Sequence, residues 1–184
     1  MRKMFAVWIL LLLPIPVLAQ SHGTANSPEI RKLDFLVGEW QGEGWIEFVP
    51  GQRRTSKVKE VAQSKAGGQV LMIEGLGKAK LPAKEQEVVV HDAFALAWYD
   101  SDAKRFRMQA FRAGGGAVDS VTAVDADIAV SDRNLVWGFR DSRAGQIRFS
   151  IKLDEAGRWF EIGELSQDGK SWRKFFEMTL QKVK

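Results

Sequence analysis

Four charged residues share alternating faces with apolar ones, and they set the chemistry this chain could do. Glu60 keeps phase with Val58 and Ala62, and Glu74 with Val70 and Met72. Arg112 keeps phase with Phe106 and Met108, and Glu161 with Trp159 and Gly163. If those faces point inward, three carboxylates and a guanidinium sit among aromatic and aliphatic side chains. A buried charge must be paired or bound to something. The set therefore reads either as an internal salt-bridge network or as the polar anchors of a ligand site. A carboxylate such as Glu60 or Glu161 could instead serve as a general acid or base, which requires a raised pKa in a pocket open to solvent.

Other chemistries find no constellation. A nucleophile triad needs a base, and beyond the first twenty residues the histidines are His22 and His91 alone. His91 lies between Val90 and Asp92 in a β run, where it reads as a strand histidine, and no Gly-x-Ser-x-Gly elbow is present. Two distant histidines without cysteine do not make a transition-metal set, so no metal is expected. Asp125 and Asp127 lack the oxygen-ligand spacing of a calcium loop and read as a turn. Gly42 and Gly44 open no helix, and Gly114-Gly115-Gly116 has no Lys-Ser or Lys-Thr beside it, so neither cradles phosphate. No cofactor is expected.

These residues need elements to hold them. The chain has 184 residues, 45% hydrophobic and 27% charged, enough for one well-buried domain. Arg2 and Lys3, the apolar run Phe5 to Leu13, Pro14, Pro16 and Val17-Leu18-Ala19 have the layout of a signal peptide cleaved after residue 19. Two of the 27 Lys and Arg leave with it, and the formal net charge falls from +4 to about +2. That is no nucleic-acid footprint. The expected protein is exported, periplasmic or secreted, with no membrane-spanning segment after cleavage. The absence of cysteine means its core stands without disulfides.

Residues 20–26 read as a flexible lead-in, and residues 27–184 as one domain. Ser27-Pro28-Glu29 suits a helix start, and Ile30, Leu33 and either Leu36 or Val37 share a face. A short amphipathic helix over Pro28 to Leu36 is expected to cap one end of the domain. After Gly38 the period is two. About ten strands follow, the first over Glu39 to Val49 and the last over Ser171 to Val183. Lys78, Lys80, Pro82 and Lys84 read as a loop, and Ala117 to Ala123 and Asp127 to Val130 as separate strands. Short connections force antiparallel neighbours. The predicted fold is all-β: a single antiparallel up-and-down barrel with a short N-terminal capping helix. The basic clusters Arg53-Arg54 with Lys57-Lys59, and Lys104-Arg105-Arg107, read as a solvated outer face.

A barrel of this strand number is wide enough to leave interior space. The wall residues expected are Trp40, Met72, Trp98, Met108, Phe139 and Phe176, with Glu60, Glu74, Arg112 and Glu161 as anchors. Inward phase is uncertain throughout, because a one-residue slip reverses a strand. The expected partner is a small, largely apolar molecule, bound without catalysis. The alternatives are an enzyme using an interior carboxylate, or a packed interaction barrel with an exposed patch near Trp45 or Phe111.

The segment Leu33-Asp34-Phe35-Leu36-Val37-Gly38-Glu39-Trp40-Gln41-Gly42-Glu43-Gly44 resembles the opening of lipocalin-like calycin barrels. With Trp98-Tyr99-Asp100 and the stretch from Asp168 to Leu180, the chain resembles an uncharacterised bacterial lipocalin-like domain-of-unknown-function family. That family is distantly similar to the haem-binding nitrobindins. The resemblance implies a calycin-type barrel with Trp40 packed near the capped end. It does not imply haem, because residues 171–184 hold no histidine to match the nitrobindin iron ligand.

Overall fold

The structure, a computed structural model, describes residues 27–80, 86–113 and 121–184. The expected signal peptide over 1–19, the expected lead-in over 20–26, Pro82, Lys84 and the triple glycine lie outside the described residues. The strands are β1 (Gly38–Ile46), β2 (Arg54–Lys65), β3 (Val70–Lys80), β4 (Glu87–Asp100) and β5 (Arg105–Ala113). They continue as β6 (Val121–Ser131), β7 (Asn134–Asp141), β8 (Gly145–Leu153), β9 (Trp159–Ser166) and β10 (Arg173–Lys182). Each pairs antiparallel with its chain neighbours, and β10 returns to β1, so the ten strands close into an up-and-down barrel. Closure leaves no edge strand to template pairing with another chain.

Three sequence expectations need correction. Lys78 and Lys80 are not loop residues: β3 runs through them, paired to β4 beyond a bulge after Gly77. The two strands expected around Asp125 are one continuous β6, and Asp125 and Asp127 point outward along it rather than forming a turn. The capping helix is 3-10 rather than α-helical, over Ile30–Leu36. Its buried residues are Ile30, Leu33 and Leu36, a spacing of three. In a 3-10 helix residues i and i+3 eclipse, so this spacing makes one straight apolar ridge.

That ridge plugs the lower end of the barrel. The Trp40 indole donates to the Leu36 carbonyl at 2.7 Å and meets Trp159 edge-on at 5.7 Å. Leu71, Ala97, Met108, Leu135, Ile151 and Leu180 complete the cluster. A fully buried side chain of this size contributes about 1.5–3 kcal/mol. On β1, glycine is obligatory at position 42, because a Cβ there would run into the Thr179 carbonyl of β10. The expectation of glycines serving close curvature on this strand fits that contact.

Candidate binding site in the barrel interior

Strand direction sorts the interior into two halves. β1 leaves the helix and climbs, so residues early in odd strands and late in even strands line the lower half. The turns at 47–53, 142–144 and 167–172 rim the upper end.

Two walls face each other in the upper half. On β3 to β5 the inward residues are small: Gly75 and Gly77, Ala93 and Ala95, and Ala110. Opposite, β7 to β10 supply aromatic rings. Trp137 stacks on Phe149 at 4.4 Å and on Phe139 at 6.0 Å, and Phe149 meets Phe176 edge-on at 5.8 Å. Phe175 joins them because a bulge between Lys174 and Phe176 lets two consecutive phenylalanines reach the same region. A bulge re-aims a side chain in this way. Trp137, Phe139, Phe149 and Phe176 are only half-buried although they face inward, whereas Trp40, Trp159 and Leu135 below are 0–1% exposed. The upper rings are thus within reach of solvent, whereas the lower ones are not.

Two acids lie at the boundary between the halves, Glu60 paired across the strands with Trp40 and Glu161 two residues after Trp159. Glu161 on β9 is 6% exposed and accepts from Trp159 Nε1 at 3.1 Å, with the Trp137 indole as a second donor. Burial pushes its carboxyl up to about 7, and the indole hydrogen bonds hold it from rising further. Glu60 on β2 is 7% exposed and has no hydrogen-bond or ion-pair partner among the described residues. Its carboxylate lies over Gly75, where a Cβ would meet Glu60 Oε1 at 2.7 Å. Burial first, and then the charge of Glu161, raise Glu60 well above the usual carboxylate range. The Glu161 charge thus opposes ionisation of Glu60, and the two acids resist ionising together. Among the described residues no fully occluded side-chain polar atom lacks a partner. Glu60, without a partner among the described residues, therefore keeps its carboxyl within reach of solvent.

The rim carries a different chemistry. His91 faces inward beside Gly77, and burial followed by the Arg112 charge lowers its pKa, which leaves it neutral at pH 7. Arg112 lies on the inward face but is exposed at the upper end of β5. Among the described residues no group of three or more His, Cys, Asp or Glu side chains could hold a metal.

The expected site residues thus divide. Trp40, Glu60, Met108, Phe139, Glu161 and Phe176 face inward, with Trp40 and Met108 in the plugged half. Arg112 reaches only the rim. Met72 and Glu74 face outward, because the inward residues of β3 are Leu71, Ile73 and Gly75. Trp98 also faces outward, opposite Val70 and Arg107, while its neighbour Ala97 is buried against Met108. Sequence reasoning missed Phe149, Phe175 and the role of Gly75. The Gly75–Gly77 pair on β3 repeats the Gly42–Gly44 spacing of β1, and that repeat was the available signal for the phase of β3.

No family model and no curated protein matches the chain. A solved structure, that of Rv2717c from M. tuberculosis, superposes with a TM-score of 0.59 at 12% identity. The match covers 87% of this chain and 100% of that one. At that identity the likeness shows the fold, and the chain is an all-β closed barrel by its own strand order as well.

Proposed function

We propose that this protein is an exported barrel that binds a small, largely apolar molecule in the upper half of its interior, between the aromatic wall and the small-residue wall. One observation carries the reading: Glu60 is a carboxyl only 7% exposed on the inward face, set over a glycine and with no partner among the described residues. A bound molecule that hydrogen-bonds this carboxyl would take the place of the water it otherwise meets. Glu161, held by indoles, supplies the second anchor. The layout of residues 1–19 supports export, and N-terminal sequencing of protein from its own host should begin at Gln20. The segments around Trp40 and Trp172 support a lipocalin-like reading, with nothing matching the nitrobindin iron ligand. Native mass spectrometry of protein purified from its own host should show a retained small molecule. A bare mass, together with an interior filled by the protein's own side chains, overturns the proposal.

A second reading has one observation in its favour. A carboxyl near 7 is matched to general acid–base work at neutral pH, and neither interior acid is neutralised by Lys or Arg. It predicts that the retained molecule is transformed on incubation and that Glu161→Gln retains it unchanged. Identical turnover in wild type and Glu161→Gln removes the acid–base role. The interaction reading is weaker. Trp45 is covered by the Arg53 guanidinium at 3.7 Å, and Phe111 stacks on Phe94 at 4.8 Å.

A further inference from the structure

The interior-binding reading leaves open what the ligand's polar group is, and the distribution of charge inside the barrel bears on it. The inward-facing titratable groups near the acids can be named strand by strand. β2 gives Glu60, with Arg54 exposed at the rim, β9 gives Glu161, β4 gives His91 at the rim, β5 gives Arg112, exposed at the rim, and β10 gives Lys182, exposed at the lower end over the Trp40 ring. Inward positions near the acids on the other strands are apolar or glycine: Gly42 and Gly44, Ile73 and Gly75, Val124 and Ala126, Leu135 and Trp137, Phe149 and Ile151, Phe176 and Met178. Among the described residues the deep interior therefore holds two acids and no base. His91 is neutral, and solvent screens the exposed Arg112.

The wall around the acids adds to the same sign. The faces of aromatic rings carry negative charge density and attract cations within about 6 Å of the ring centre. Trp137, Phe139 and Phe149 form a continuous stack beside Glu161, and Gly75 clears the space into which Glu60 points. An anionic ligand would meet ring faces and, once either acid is ionised, a like charge. A neutral ligand could accept from a protonated Glu60 but offers no counter-charge once the acids ionise.

We propose that the bound molecule is an organic cation, an apolar body bearing a protonated nitrogen that sits between Glu60 and Glu161 with its body against the Trp137–Phe149 stack. This rests on the interior-binding reading and adds the sign of the ligand's charge. Ionisation of the acids then accompanies binding, so affinity rises with pH through their titration and falls again when the amine itself loses its proton.

The test uses the mature protein, freed of any retained molecule by dialysis, and three probes of matched shape: naphthylmethylamine, naphthalenemethanol and naphthoic acid. Binding is read by intrinsic tryptophan fluorescence. The amine should bind at least about tenfold more tightly than the alcohol, and the acid most weakly. Glu60→Gln and Glu161→Gln should each erase most of that preference, with a retained cooperative melt showing that both variants are folded. Amine affinity should strengthen from about pH 6 to about pH 8. An alcohol that binds as tightly as the amine, or a preference untouched by both Gln variants, overturns the cation inference while interior binding stands. If none of the three binds at millimolar concentration, both fall.

Discussion

The lower and upper halves of this barrel follow one alternation and reach opposite outcomes. Below, the 3-10 ridge of Ile30, Leu33 and Leu36 meets Trp40 and Trp159, and polar groups are few and paired. Above, rings of equal size line one wall only, the opposite wall is glycine and alanine, and the two acids at its floor have no cation partner among the described residues. The same number of strands thus encloses fully buried rings at one end and half-buried ones at the other. The difference lies in which strand carries the bulk, not in how hydrophobic each strand is.

The largest expected effect probes the solid half. Trp40→Ala removes an edge-on ring contact, a hydrogen bond and a fully buried side chain, and should lower unfolding stability by about 3–5 kcal/mol in denaturant titration. Phe139→Ala in the upper half leaves space that is already accessible and should cost less than half of that. Equal losses would erase the distinction between the halves.

Next comes Glu161→Gln, which keeps the shape and removes the charge. The folded carboxyl titrates near 7 against an ordinary value of 4.5, so the folded state holds its proton more tightly. Stability is then lost as pH rises from about 4.5 towards about 7, and the full penalty stands above that. The variant escapes the penalty. In ligand-free protein it should be more stable than wild type at pH 8, by on the order of 3 kcal/mol, and indistinguishable at pH 4. A variant less stable at pH 8 would mean that an unseen cation pairs with Glu161.

A subtler change sharpens the site itself. Gly75→Ala sets a methyl against the free end of Glu60, a flexible neighbour, so stability should move by less than about 1 kcal/mol. Ligand retention should nevertheless fall, because Glu60 must swing out of its cradle. The smallest effects belong to the outer face. Met72→Ala and Glu74→Gln should each leave stability within about 0.5 kcal/mol and leave retention unchanged. A lost ligand in Glu74→Gln would put β3 in the other phase.

How far these features were legible varied with the strand. The period-two run after Gly38, the turns at Asp100 and Asp168 and the phase of Glu60 and Glu161 could be read from sequence. In each of those strands polar residues mark the outer face. β3 is different: Val70-Leu71-Met72-Ile73 is apolar on both faces, so alternation carries no phase and Met72 and Glu74 were placed inside. β4 inverts the usual size rule, with Phe94, Leu96 and Trp98 outside and Ala93, Ala95 and Ala97 inside. Ala97 pairs with Met108 inside the packed cluster, whereas Ala93 and Ala95 belong to the small-residue wall above it. The bulge that brings Phe175 in is a register event between two strands, which no single strand records.

The central claim is that Glu60, buried with no partner among the described residues, meets a ligand. A crystal structure of the protein as purified from its own host tests this most directly. The account predicts density for a small molecule in the upper interior, with a polar atom within hydrogen-bond distance of Glu60. An interior filled by the protein's own side chains, with Glu60 hydrogen-bonded to one of them, contradicts it.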